Sequence, residues 1–200
     1  MNVNDATLLD QLRCATRKTI AEFSASPMDF LYESDIQSLM FAKLRDEMLY
    51  VRYKFETKDF EERVGFIPII NPVKSEYPSD RRFDIAVLSE KPDPTCHLWL
   101  QPCRIAIEIK FWQVGSGGHP RRDVDELQLY WQASKINGRP FTGIAMLFVQ
   151  PAAEQRLEDC KKLGDIICNG SNPQFPDDGI AFHLVTSSSW SDAILKRTDL

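Results

Sequence analysis

The chain has 200 residues, 43% of them hydrophobic and 10% aromatic, which suits one compact domain with a sizeable core. Its net charge of −5 and pI near 5.3 argue against a protein that coats nucleic acid by bulk electrostatics, although a local basic patch stays open. No apolar run approaches the roughly 20 residues that cross a bilayer, and five cysteines (14, 96, 103, 160, 168) with nothing like a secretory leader at residues 1–5 imply a reducing, cytoplasmic setting.

Residues 6–23 carry Leu8, Leu9, Leu12, Ala15, Ile20 and Phe23 at helical spacing, and the stretch ending in Pro27 interrupts them, so a helical N-terminal extension is expected. A second helix starts at Ser34, with Ser34 and Gln37 at capping-box spacing, an apolar stripe of Ile36, Leu39, Met40 and Leu44, and Glu33 at its entrance. Residues 50–63 show no clear period and read as irregular or as a short helix. Residues 65–72 read as a strand that Pro68 and Pro72 demote to a sheet edge or a bend. Strands follow over 82–89 and 103–112, then a glycine-rich loop at 115–118. Asp123 opens a helix whose Val124, Leu127, Trp131 and Ser134 share one side, and Asn137 and Gly138 end it. Residues 141–149 are apolar almost throughout, as in a strand covered on both faces. A helix over 152–167, a loop over 169–178 and a strand over 180–185 complete one domain spanning 1–200, with its core at about 30–150 and a C-terminal helix and strand at 152–185.

Two of these strands place charge where apolar residues dominate. Side chains alternate on a strand, so Ile105, Ile107 and Ile109 share one face while Ala106, Glu108 and Lys110 share the other. The same count sets Phe83, Ile85 and Val87 apart from Asp84 and Ala86. Two carboxylates and an ammonium can therefore converge, and buried charge is costly unless it is paired or holds a metal.

An Asp on one strand followed by Glu-x-Lys on the next resembles the PD-(D/E)XK nuclease superfamily, here Asp84 with Glu108, Ile109 and Lys110. The likeness covers roughly residues 33–149, and Glu33 matches the acid that members carry on the first core helix, with Asp35 a weaker candidate. The proline of the family motif is absent, since Phe83 precedes Asp84, and Gln128 is followed by Gln132 rather than by the tyrosine of helicase-linked members. The resemblance implies a restriction-endonuclease-like α/β fold, a three-layer core with a mixed central sheet flanked by helices. It also implies a Mg²⁺- or Mn²⁺-dependent hydrolase of phosphodiester bonds, foremost a DNA endonuclease. Asp84, Glu108 and the carbonyl of Ile109 would be metal ligands, with Lys110 and Glu33 as catalytic groups. Lys110 would position or deprotonate the attacking water or neutralise developing charge, with burial beside a metal lowering its pKa. Nucleic acid is the implied partner, with a homodimer or a larger nuclease complex left open and no membrane partner. The rival reading is a non-catalytic module that binds nucleic acid or protein within a restriction, repair or mobile-element complex.

Arg81, Arg82, Arg121 and Arg122, with Lys74 and His119, are candidates for phosphate contact, although arginines beside turns are commonly just solvated. Cys96, His97, Cys103 and His119 lack zinc-site spacing, and Trp99, Trp112 and Trp131 serve either as core or as base-stacking platforms.

Overall fold

The computed structural model describes residues 5–51, 53–54, 69–78, 82–90, 93, 101–113, 121–156, 176–186 and 190–195. Helices α1 (Asp5–Ala25) and α2 (Glu33–Glu47) pack together, joined through a single 3-10 turn at Pro27–Asp29. Their apolar stripes meet in the core: Leu8, Leu9, Leu12, Ala15 and Phe23 from α1, Ile36, Met40 and Leu44 from α2. The start of α2 differs from the expected Ser34–Gln37 box. The helix begins one residue earlier, and the Asp35 carboxylate accepts the N–H groups of Leu31 and Tyr32, both at 2.9 Å. That occupation by the helix end removes Asp35 from the candidate site residues.

Two short strands, β1 (Tyr53–Lys54) and β2 (Ile69–Ile70), form an antiparallel ribbon. The main sheet has six strands in sequence order: β3 (Val73–Pro78), β4 (Arg82–Leu88), β5 (Cys103–Trp112), β6 (Thr142–Val149), β7 (Gly179–Thr186) and β8 (Trp190–Leu195). β3, β4 and β5 run antiparallel as a meander, β5, β6 and β7 are parallel, and β8 closes the far edge antiparallel. Helix α3 (Arg121–Ile136) makes the crossover between parallel β5 and β6, a connection too long for a hairpin. The chain is thus α/β with a mixed sheet.

Strand parity sorts the helices onto opposite faces. Phe111 and Phe148 pair across β5 and β6, and both meet Phe23 of α1 edge-on. Ile105, Ile107 and Ile109 share that side by alternation. On the other side, Ala106 pairs with Gly143, and Gly143 lies beneath Leu127 of α3. A Cβ on Gly143 would stand 3.2 Å from Leu127 Cβ and from Phe141 Cε1, and 3.3 Å from Ile180 Cγ1, so the bare glycine allows α3 to lie close on the sheet. The stripe expected on α3 is the buried one: Val124, Leu127, Trp131 and Ser134. Gly138, at φ 64°, turns the chain out of the helix.

The sheet edges depart from the sequence reading. β3 was not expected, because Lys74, Ser75 and Glu76 read as polar, and an edge strand needs little apolar surface. β8 was not expected either, and the predicted helix at 152–167 is a 3-10 helix over Pro151–Arg156 where it is described. Residues 55–68, 114–120 and 157–175, and with them the glycine-rich loop, His119, Cys160 and Cys168, lie outside the described residues, as do Cys96, His97 and Trp99. Among the described residues no helix is long and apolar enough to cross a membrane.

Candidate functional site

The antiparallel ladder between β4 and β5 stops at Ile85 and Ile107, one residue short of Asp84 and Glu108. Beyond that point the N–H groups along this edge of β5 need other acceptors. Asp84 Oδ2 accepts the Ile109 N–H at 2.7 Å, and Glu33 Oε2 accepts the Phe111 N–H at 3.3 Å. Carboxylates from β4 and from the first turn of α2 thus replace a strand partner, which fixes both beside Glu108 and Lys110.

Asp84, Glu108 and Lys110 share the sheet face under α3, as alternation requires. Glu108 is only 6% exposed, and its Oε1 has no hydrogen-bond partner. Burial, then the neighbouring charges of Asp84 and Asp123, push its carboxyl up to about 9. Asp84 is raised as well, chiefly by burial, with the Ile109 N–H opposing the shift and the Glu33 charge adding to it. Lys110 Nζ lies 3.3 Å from Glu33 Oε1 and 3.7 Å from Asp123 Oδ2. Burial pulls the ammonium's pKa down, but Asp123, Glu33 and Asp84 together outweigh it and raise the value. The protein's own groups thus favour the charged form of Lys110, whereas the lowering expected from the sequence was that of a lysine beside a bound metal.

Asp123 was read only as the start of a helix. It sits in the first turn of α3, 9% exposed, and is pushed up to about 6, first by burial and then by Asp84, Glu33 and Glu126 against the opposing pull of Lys110. Its Oδ2 has no hydrogen bond. The available signal was topological, because a crossover from β5 to a parallel β6 returns the helix start to the end of β5 that carries Lys110.

The basic candidates are less gathered. Arg82 is exposed and ion-paired with Glu76, whose φ of 46° lies in the left-handed region at the kink of β3 beside Asp84. Arg122 pairs with Glu126 at 3.0 Å on the surface. Arg81 and the side chain of Arg121 lie outside the described residues. Lys74 is half-buried, and desolvation followed by Arg45 lowers its pKa. Trp112 is buried, and Trp131 is buried with its indole N–H donating to Asp178 Oδ1 at 2.8 Å, so both are core residues rather than stacking platforms.

No known protein family, curated protein or solved structure matches this chain. The site therefore stands on its own geometry. Among the described residues it holds Glu33, Asp84, Glu108 and Asp123 around one lysine, with two buried carboxylate oxygens that lack a hydrogen bond. Hard oxygen donors of this kind suit Mg²⁺ or Mn²⁺, and Glu108 Oε1 is an acceptor that a cation would satisfy. Among the described residues no three acidic, histidine or cysteine side chains are already drawn into a cation cage. Since burial raises both Asp84 and Glu108, cation binding there would be favoured by their deprotonation.

Proposed function

We propose that this protein is a metal-dependent nuclease with a restriction-endonuclease-like core, acting foremost on DNA. The reading is carried by Glu108, a carboxylate on a central strand, buried with an unpartnered oxygen and adjoined by Asp84 and Lys110. An ordinary core has no use for that arrangement, since an apolar residue would be more stable there. The order of helix, three-strand meander, crossover helix and parallel strand supports the same reading.

Asp84 and Glu108 would hold the cation with the Ile109 carbonyl, and Glu33 would contribute through water. A bound Mg²⁺ supplies Lewis acidity toward the phosphoryl oxygens and acidifies a water molecule. The chain's own groups do the rest. Asp84 keeps β5 in place through the Ile109 N–H, so the two carboxylates move as one unit. Lys110, whose ammonium is favoured by its acidic neighbours, would neutralise negative charge that builds on the phosphate. Arg82 and Arg122 lie in sequence beside Asp84 and Asp123, and as rim cations they would contribute affinity and orientation, not base readout.

The test is incubation with linear, circular, branched and single-stranded DNA and with RNA, each with Mg²⁺, Mn²⁺ or chelator, beside calorimetric titration of the same cations. Cation-dependent cleavage is expected, lost in Asp84→Asn, Glu108→Gln and Lys110→Ala. Cleavage left intact in all three variants would refute the assignment. Cation binding without cleavage of any substrate would favour the non-catalytic module.

A further inference from the structure

Lys110 reaches out of β5 between two helices that pack on opposite faces of the sheet. Glu33, from α2, is committed on both oxygens: Oε1 meets Lys110 Nζ and accepts from Gln37 at 3.5 Å, and Oε2 takes the Phe111 N–H. Asp123, from α3, is more deeply buried, and its Oδ2 faces the ammonium at 3.7 Å, too far for a hydrogen bond. A favourable helix dipole explains an acid in a first turn. It does not explain one that is nine-tenths buried with an oxygen that lacks a hydrogen bond and faces a lysine, since an exposed acid would serve the dipole equally well without desolvation.

We infer that Asp123 is a positioning residue for Lys110, the α3 half of a two-sided carboxylate clamp that sets where the ammonium stands over the Asp84–Glu108 pair. This rests on the nuclease reading for its consequence, not for its geometry. With Glu33 alone, the lysine would settle toward α2 in a direct salt bridge. The second carboxylate draws it back toward α3 and leaves it bonded to neither side at full strength. Its positive charge then remains available to a phosphate oxygen arriving between the helices. The loss of Asp123 would leave cation binding intact and misplace the charge.

The experiment uses the full chain with Asp123→Asn, which keeps side-chain volume, and Asp123→Glu, which restores the charge. The Lys110 side-chain ammonium signal is followed by ¹⁵N NMR, assigned by its disappearance in Lys110→Arg, with Glu126→Gln as a control for general loss of negative charge on α3. The signal is expected to shift in Asp123→Asn, to return toward the wild-type position in Asp123→Glu, and to stay in place in the control. With the cleaved substrate, kcat in Asp123→Asn should fall roughly 10- to 100-fold, with KM and the calorimetric Mg²⁺ affinity unchanged. An unmoved Lys110 signal, an unchanged kcat or a lost Mg²⁺ affinity would each overturn the assignment, the last by making Asp123 a direct ligand. A wild-type chain that cleaves nothing would sink the nuclease reading, while the NMR signal would still decide whether Asp123 holds Lys110.

Discussion

The two ends of β5 are built to opposite rules. At the Cys103 end every polar group named here finds a partner. The Cys103 N–H donates to Tyr130 Oη at 3.0 Å, Arg104 donates to Thr142 Oγ1 at 3.0 Å, and Thr142 donates on to the Pro176 carbonyl at 2.8 Å. Asp93 takes Arg139 at 2.6 Å while exchanging backbone hydrogen bonds with the Gln101 amide. At the Lys110 end the acids outnumber the single ammonium among the described residues, and Glu108 and Asp123 each leave a buried oxygen without a hydrogen bond. One end is satisfied by the fold, and the other is left for something the fold does not supply. The contrast supports the proposed function at the second end more firmly than any single residue does.

The largest expected effects break this contrast through activity. Asp84→Asn, Glu108→Gln and Lys110→Ala should each lower cation-dependent cleavage by roughly 10²- to 10³-fold or more in single-turnover assays, with circular dichroism unchanged. Glu108→Gln should at the same time stabilise the fold. The Glu108 carboxyl goes from 4.5 in the unfolded chain to about 9 in the fold, so the folded state holds a proton that the unfolded state releases. Its stabilising contribution is complete below pH 4.5 and is lost as pH rises toward about 9; Asp123, raised from 3.8 to about 6, acts with the same sign over its own range. In cation-free buffer at pH 8, denaturant titration should find Glu108→Gln more stable than wild type by roughly 1–3 kcal/mol, with a flatter dependence on pH. A wild-type chain whose stability rises with pH over this interval would contradict the burial-raised carboxyls of Glu108 and Asp123.

At the satisfied end the sign reverses. Tyr130→Phe strands the Cys103 N–H and should cost about 1–2 kcal/mol in the same titration, with no loss of cleavage. The smallest effect is expected at Arg122, whose exposed pair with Glu126 contributes little to the fold. Arg122→Ala should leave stability within about 0.5 kcal/mol. It should weaken nucleic-acid binding modestly and reduce the salt slope by about one if the arginine contacts phosphate.

The sequence displayed the satisfied and unsatisfied ends unequally. β5 was legible to the residue, because isoleucines at every second position from Ile105 to Ile109 fix which side Glu108 and Lys110 take. Glu33 was legible as a helix-entrance acid, but its bonds to Phe111 and Lys110 join residues far apart in sequence. β3 and β8 escaped because an edge strand needs no sustained apolar period, and Ser75, Glu76, Ser191 and Asp192 are polar. Asp123 escaped for a different reason: its meaning depends on where the crossover sets α3 down, which alternation along one strand does not encode. The direction of the Lys110 shift followed from the same gap, since counting the acids around it requires both helices in place.

The missing side chain at Gly143 gives this arrangement a remote adjustment point. Leu127, which rests on it, follows Asp123 by one helical turn, and its Cβ is tied to the helix backbone and cannot rotate out of the way. Gly143→Ala would act as a shim under α3, lifting the turn that carries Asp123 while changing no charged residue. The spacing of the ammonium from its second acid would therefore respond to a backbone position on β6, and the charge balance of the cluster could be retuned there without altering any of its residues.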